Sequence, residues 1–284
     1  MTTDDRIAAR AARHAALTRQ LGHALSPSGR PLPANEARLQ PDQREGVPNT
    51  EWPGHRPAHL DADTLHTWVR ALGLPALIDL GEEAAPILDE LVASLRVVEL
   101  WVWRQPLRYC AADLLPFVYV AVGDRHPEKD FRRQAQRGTL SRLAAEAYEQ
   151  LLVSPSALTA TRLRDLLGAA RISRLAVDRS LFELAQTLKI VRCGRNEGET
   201  EWRPLLAALP DVPGAVDHIA QSQAAAALLT QYLDVNVCAT EPELADWFSP
   251  LFSRTLIHSA LKALAAARQL TPDALDGHPA WRLP

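Results

Sequence analysis

The feature that most constrains this chain is a segment written twice, at 173–203 and again at 253–282. Seven pairs of residues between 173 and 190 match the copy at a constant offset of 80 residues without a gap. Two copies of one pattern predict two folded units of the same kind. The matched pairs are Ser173/Ser253, Arg174/Arg254, Val177/Ile257, Leu181/Leu261, Leu184/Leu264, Ala185/Ala265 and Ile190/Leu270.

The first copy and the residues before it predict three helices followed by a hairpin. Thr159 and Ser173 are N-cap residues, each placed directly before an apolar run of helical period. A Gly- and Asn-containing turn at 194–198 separates two short strand-like runs. Helix, helix, helix, hairpin is the order of a winged helix. The predicted elements are helices at 144–153, 159–167 and 173–188, and strands at 189–193 and 201–205.

The second copy predicts the same order. Thr240 and Glu243 have capping-box spacing, and Gly277-His278-Pro279 is the expected wing turn. The fold class is therefore mainly α with small β-hairpin wings, in tandem winged-helix (helix-turn-helix) domains. The predicted elements are helices at 224–233, 241–248 and 253–268, and a hairpin within 269–283.

The N-terminal half is less regular. Its periodicity predicts helices at 4–24, 61–73 and 82–104, although β-branched and aromatic residues at 97–102 leave a strand open there. Seven prolines between 25 and 58 predict an irregular linker. The expected domains are an N-terminal helix and linker (1–58), a helical domain with a degenerate winged helix as the alternative (59–138), and winged helices at 139–210 and 215–284.

Composition excludes several classes of function. No uninterrupted apolar run approaches the length of a membrane helix, and the charged N-terminus has no leader pattern, so we expect a cytoplasmic protein, nucleoid-associated if bound to DNA, with no membrane partner. Three widely spaced cysteines indicate neither a disulfide framework nor a metal site. No phosphate-binding loop or clustered catalytic motif is present, so we predict no cofactor, no metal ligand and no catalytic residue.

The two copies differ in the sign of their net charge, although the whole chain carries a net charge of only −3. Residues 125–142 sum to +4 and residues 157–203 to +3, whereas residues 205–284 sum to −4. A basic surface suits DNA, and an acidic one opposes it. We therefore expect one copy to bind double-stranded DNA. The acidic C-terminal winged helix would pack, form a homodimer or recruit a protein partner.

Candidate DNA contacts lie on the third helix of the first copy, because that helix enters the major groove in winged-helix proteins. Others lie on the wing, on the second helix, where they suit backbone contacts, and on the basic stretch before this copy. Two alternatives remain open: Arg174 can pair with Asp178, and Arg179 with Glu183, at the spacing of a surface ion pair. Trp202 and Trp281 are expected to pack the return strands onto the helices. The candidates are Arg132, Arg133, Arg137, Arg162, Arg171, Ser173, Arg174, Arg179, Arg192 and Arg195.

Two segments carry a resemblance to a known family. In 172–194 the pair Asp178-Arg179 leads into Leu-Lys-Ile-Val at 188–191, and Ala-Asp-Leu-Leu-Pro occurs upstream at 112–116. These segments resemble the winged-helix proteins grouped around the YcaQ/AlkZ-type crosslink-repair DNA glycosylases, and in particular their smaller AlkZ-related relatives. The likeness covers about 82–205. The resemblance implies a DNA-handling protein built from tandem winged helices.

The chain departs from that family in two places. The glycosylases carry a catalytic Gln-x-Gln motif in the N-terminal part of the fold, and no such motif occurs here before residue 110. They also carry a histidine before Leu-Leu-Pro, where this chain has Cys110. Gln134 and Gln136 have the Gln-x-Gln spacing but follow Leu-Leu-Pro, among arginines.

We therefore expect a DNA-binding protein acting in DNA repair or DNA maintenance without catalysis. One alternative is a DNA glycosylase that acts on alkylated or crosslinked DNA. A further alternative is a transcriptional regulator or a winged-helix protein-interaction module, since the fold alone does not decide function.

Overall fold

The computed structural model describes residues 1–24, 60–103 and 106–284. Helix α1 spans Thr3–Ala24, as predicted. The proline-rich linker predicted at 25–58 lies outside the described residues. Among those that are described, no helix is long and apolar enough to cross a membrane.

The N-terminal unit (60–122) combines short helices with one hairpin. Its first helix begins where Asp61 accepts a hydrogen bond from Thr64 N at 2.8 Å, and it ends at Gly73, whose φ of 80° suits a residue without Cβ. Ala76 forms a bridge to the outer strand of the hairpin. The elements are α2 (Ala62–Leu72), α3 (Leu77–Leu80), a 3₁₀ turn (Glu82–Ala84), α4 (Ala85–Ala93), β1 (Val97–Leu100), β2 (Arg108–Ala111) and α5 (Leu115–Val122).

The prediction of one helix over 82–104 is wrong. The observed helix α4 ends at Ala93, and Leu95 turns the chain with a φ of 56°. All four residues of β1 are buried against the core and pair with β2. A strand that is buried on both faces is a largely continuous apolar run. Such a run lacks the two-residue alternation of a half-exposed strand, so periodicity alone does not distinguish it from a buried helix.

The middle unit (127–204) follows the predicted order. Its strands form an antiparallel sheet in the order β3-β5-β4. Thr159 and Ser173 cap their helices as expected, each accepting a backbone N–H at 3.2 Å. The elements are α6 (Pro127–Arg137), α7 (Arg142–Val153), β3 (Leu158–Thr159), α8 (Ala160–Leu167), α9 (Arg174–Gln186), β4 (Ile190–Asn196) and β5 (Glu199–Pro204).

The C-terminal unit (221–282) repeats that order, with a sheet arranged β6-β8-β7. Its wing turn is Asp276-Gly277, one residue earlier than predicted, because both residues adopt the positive φ that a two-residue hairpin needs. Two short helices, α10 (Leu205–Ala208) and α11 (Asp211–Val216), lead into it. Its elements are α12 (Gln221–Asn236), β6 (Cys238–Thr240), α13 (Glu241–Phe248), α14 (Arg254–Ala266), β7 (Thr271–Leu275) and β8 (His278–Arg282).

A β-bulge explains why the two copies differ in length by one residue. In the middle unit Arg192 pairs with Trp202 and Gly194 pairs with Glu201, which leaves Cys193 without a partner in the ladder. The C-terminal hairpin pairs without interruption. The offset of 80 residues therefore falls to 79 after the bulge, and Trp202 corresponds to Trp281.

The N-terminal unit shares the same helix-to-strand junction. Leu95, Leu188 and Arg268 all have positive φ, between 53° and 59°, at the end of α4, α9 and α14. In each case the residue and its successor donate backbone N–H groups to carbonyls three and five residues earlier. This is the double hydrogen bond of a Schellman-type ending. The three junctions thus have one geometry, although the sequence repeat is visible in only two.

The units pack through two contacts that matter for function. Helix α5 of the N-terminal unit packs on α11 and α12, within one hydrophobic core that continues into the C-terminal unit. Helix α4 packs against β4 of the middle unit. The face of α4 turned toward the middle unit is therefore covered.

Candidate nucleic-acid interface

Helix α9 carries two polar stripes, and they have different surroundings. Residues four apart on a helix share a face, so Arg174 and Asp178 lie on one stripe and Leu175 and Arg179 on the next. The first stripe faces the hairpin of the middle unit. The second is exposed.

Arg174 is held by a compact network. Its Nη1 donates to Glu199 Oε1 at 2.6 Å and to Thr161 Oγ1 at 2.7 Å, and its Nε donates to Asp178 Oδ1 at 3.0 Å. Glu199 also accepts from Thr161 N at 3.2 Å and so caps the start of α8. The hydrogen bond from Arg174, followed by that from Thr161, lowers the pKa of Glu199 to about 2. The alternative of an Arg174–Asp178 pair is therefore observed, and Arg174 joins the hairpin to both helices.

An aromatic contact covers the far end of the same stripe. Trp101, from the N-terminal unit, lies edge-on to Phe182 with ring centroids 5.4 Å apart, and 6.4 Å from Trp202. Trp202 is buried in the middle core, as predicted. A small cavity of about 220 Å³ remains between these rings and Arg174.

The candidate contact Arg192 is buried between two units. Its side chain is 8% exposed and forms ion pairs with Glu99 on β1 and Asp89 on α4. Burial raises the pKa of Glu99, and the charge of Arg192 opposes that rise. Arg195 remains half-exposed and lies 3.4 Å from Asp89. Arg192 thus connects two units and is not available to a phosphate.

The second stripe of α9 continues onto the start of α7. Glu183 Oε1 accepts from Ser141 N at 2.7 Å, and its Oε2 accepts from the Ser141 hydroxyl at 2.5 Å. Glu183 is therefore used by Ser141, and the expected alternative, an Arg179–Glu183 pair, is not found. This contact brings the basic stretch 125–142 beside α9.

The basic helix α6 is only partly available. Arg132 pairs with Glu149. Arg133 lies 4.0 Å from Asp130. Both arginines are well exposed, and exposed pairs of this kind contribute little and exchange readily.

Gln134 donates to Asp124 Oδ2 at 2.9 Å, the carboxylate that also pairs with buried Lys189. One glutamine of the Gln-x-Gln spacing is thus tied into the packing between units. Cys110 is fully buried, which raises the pKa of its thiol.

At four of the ten candidate arginine and serine positions, the side chain is exposed and makes no hydrogen bond or ion pair within the described part of the chain. They lie on α6, on α8, before α9 and on the open stripe of α9. Ser173 is occupied as the N-cap of α9. The four are Arg137, Arg162, Arg171 and Arg179.

The wing of the C-terminal unit is covered by the N-terminal segment, which the sequence did not reveal. Met1 N donates to Ala274 O at 3.0 Å, and Thr3 N donates to Asp276 Oδ1 at 2.9 Å. Arg6 forms a two-pronged ion pair with Glu243 at 2.7 and 2.9 Å.

Glu243 therefore does not complete the predicted capping box, although Thr240 still caps α13 by accepting from Glu243 N at 3.3 Å. On the third helix of this unit, His258 Nδ1 lies 2.8 Å from Glu241. Trp281 packs partly buried on the core, as expected. In the regions that the structure describes, no group of acidic, histidine or cysteine side chains could hold a metal ion.

A family model described as DNA glycosylase AlkZ-like matches residues 84–284, well over half of the chain. The chain belongs to the AlkZ-like family. The match includes the C-terminal unit and so extends beyond the resemblance seen in the sequence, which ended near residue 205. No curated protein matches the chain.

Among solved structures, the Streptomyces sahachiroi DNA glycosylase AlkZ is similar over 73% of this chain, with 18% identity and a TM-score of 0.47. The chain spans 57% of that protein.

Proposed function

We propose that this AlkZ-like protein binds double-stranded DNA through its middle unit, in DNA repair or maintenance, without cutting a glycosidic bond. The proposal includes a fold: the units at 139–210 and 215–284 are winged helices, and the domain at 59–138 contains a third, degenerate one. The order of elements, the sheet order and the shared helix-to-strand junction support this assignment.

The observation that carries the proposal is the set of unpaired arginines on the middle unit. Arg171 and Arg179 flank the N-terminal half of α9, the helix that lies in the major groove in winged-helix complexes. Arg137 on α6 and Arg162 on α8 are two further exposed cations of the same unit. Unpaired guanidinium groups bind phosphates without first breaking an ion pair.

The other two units are less suited to DNA. Helix α4 is packed against β4, and Asp89 is paired with Arg192. The C-terminal unit is acidic, and its wing is covered by the N-terminal segment. We propose that this unit is a packing element in the monomer; a homodimer or a protein partner at its remaining surface stays a prediction.

Fluorescence anisotropy with a labelled duplex tests the proposal. The variant Arg137→Ala/Arg171→Ala/Arg179→Ala removes three unpaired cations, and Lys262→Ala/Arg268→Ala is a control on exposed positions of the C-terminal unit. With about 0.9 ions released per phosphate contact, wild-type affinity should fall at least tenfold over a fourfold rise in salt. In a plot of the logarithm of affinity against the logarithm of salt concentration, the slope of the triple variant should be smaller in magnitude than that of wild type by roughly two to three.

The control variant should bind as wild type does. Affinity that does not change with salt, or an equal loss in both variants, would refute the assignment to the middle unit.

A second candidate function is DNA glycosylase activity, which the family membership favours. It would require catalytic residues other than those expected from the resemblance, because Gln134 is used in packing and Cys110 is buried. Incubation with alkylated and crosslinked duplexes, followed by chromatography of released base, separates the two. Release at rates above a heat-inactivated control would replace the non-enzymatic proposal.

A further inference from the structure

The open stripe of α9 carries an apolar side chain beside Arg179. Leu175 is 58% exposed, whereas Val177 and Leu184 of the same helix are buried in the core. It lies four residues after Arg171 and four before Arg179, both of which are unpaired. Leu175 therefore stands within the surface proposed to face DNA.

Its neighbours leave it open to a ligand. Arg174, next to it in sequence, is directed to Glu199 and Thr161 and does not cover it. A single exposed leucine is unremarkable on its own. Here it occupies the second position of the helix whose N-terminal residues meet base edges in helix-turn-helix complexes, between two exposed arginines in the sequence that can attract phosphates.

We propose that Leu175 reads C5-methyl groups of pyrimidines in the major groove; this inference rests on the proposed function. The C5-methyl of thymine is the apolar group that B-DNA presents there, and aliphatic side chains bind it by contact. The class of DNA preferred is thus rich in thymine or 5-methylcytosine. Arg171 and Arg179 supply affinity that is independent of sequence, and Leu175 supplies the discrimination.

Paired probes that differ only in that methyl test the inference. An alternating dA-dT duplex and the corresponding dA-dU duplex keep the same base pairing but differ in the C5-methyl. Wild-type protein should bind the dA-dT duplex about fourfold more tightly, the factor expected from burial of one methyl-sized group. A dG-dC duplex with 5-methylcytosine should likewise be preferred to its unmethylated form.

Variants identify the side chain responsible. Leu175→Ala should bring the ratio of the two affinities close to one. Val153→Ala, at an exposed apolar position of the same unit, should leave the ratio unchanged. Arg179→Ala should weaken binding to both duplexes by the same factor.

Each outcome is decisive. A wild-type ratio of one overturns the inference while duplex binding still stands. A ratio that survives Leu175→Ala, including the case in which both affinities fall together because the leucine wedges between bases, also overturns it. If the protein binds neither duplex, the proposed function itself is refuted. Circular dichroism of Leu175→Ala should match wild type, because the side chain lies outside the core.

Discussion

The middle and C-terminal units share their caps and core positions but hold their wings in different ways. Arg174 binds Glu199 on the wing strand, whereas its counterpart Arg254 pairs with exposed Asp246 on a helix, at 3.0 Å. The wing position equivalent to Glu199 is occupied by His278 in the C-terminal unit. His278 cannot provide the carboxylate that accepts from Arg174 in the middle unit.

The C-terminal wing is instead held from outside. The N-terminal segment adds backbone hydrogen bonds to Ala274 and Asp276, and the Thr3 hydroxyl binds the same aspartate. Both carboxylates, Glu199 and Asp276, have a lowered pKa because each accepts hydrogen bonds, but from different elements. Duplication therefore preserved the interior of the unit, while the partner of each wing diverged.

The largest expected effect concerns the two equivalent tryptophans. Trp202 lies in the core with 9% of its surface exposed, and Trp281 is only half-buried. Trp202→Ala should lower the free energy of unfolding by about 3–5 kcal/mol through the cavity it leaves. Trp281→Ala should cost about 1–2 kcal/mol, since less surface is lost. Urea denaturation followed by circular dichroism measures both.

The conservative changes Trp202→Phe and Trp281→Phe serve as controls, and each should recover most of the loss. Equal costs for the two alanine variants would show that the units are more alike than their burial indicates.

The sequence predicted those features that depend on neighbouring residues. Thr159 and Ser173 start helices because a side-chain oxygen satisfies a nearby backbone N–H, and Asp61 does the same. The apolar periods of α9 and α14 predicted which side chains enter the core. The intramolecular partners of the candidate arginines could not be predicted in this way, because exposure on a helix says little about which partner an arginine finds.

Features that depend on distant segments could not be read in the same way. Arg192 is buried only because Asp89 and Glu99 lie about a hundred residues earlier and fold against it. The break between α4 and β1 required the partner strand β2. Arg6 reaches Glu243 across 237 positions of the chain. No local pattern marks such a pair.

The next prediction concerns that contact between α1 and the C-terminal unit. The Arg6–Glu243 pair is partly buried and two-pronged, and the carboxylate raises the pKa of Arg6. Arg6→Ala should destabilise the docking of α1 by about 1–2 kcal/mol, because the hydrogen bonds are charge-assisted but both side chains remain partly exposed. Hydrogen exchange of the amides in α1 and β7 should then accelerate about tenfold.

Arg13→Ala is the matched control, because Arg13 pairs with Asp234 at an exposed site and should matter much less. If exchange in β7 is unchanged in Arg6→Ala, the N-terminal segment does not hold that wing.

The smallest expected effect is electrostatic and concerns the middle wing alone. The folded pKa of Glu199, about 2, is lower than its ordinary value of 4.5. Its contribution to stability is therefore complete above pH 4.5 and is lost as the pH falls toward 2. Arg174→Ala should raise the pKa of Glu199 toward 4.5, as measured by NMR titration of the carboxyl carbon. Arg254→Ala should leave it unchanged, because that arginine does not reach a wing; an unshifted Glu199 in Arg174→Ala would instead assign the low pKa to Thr161.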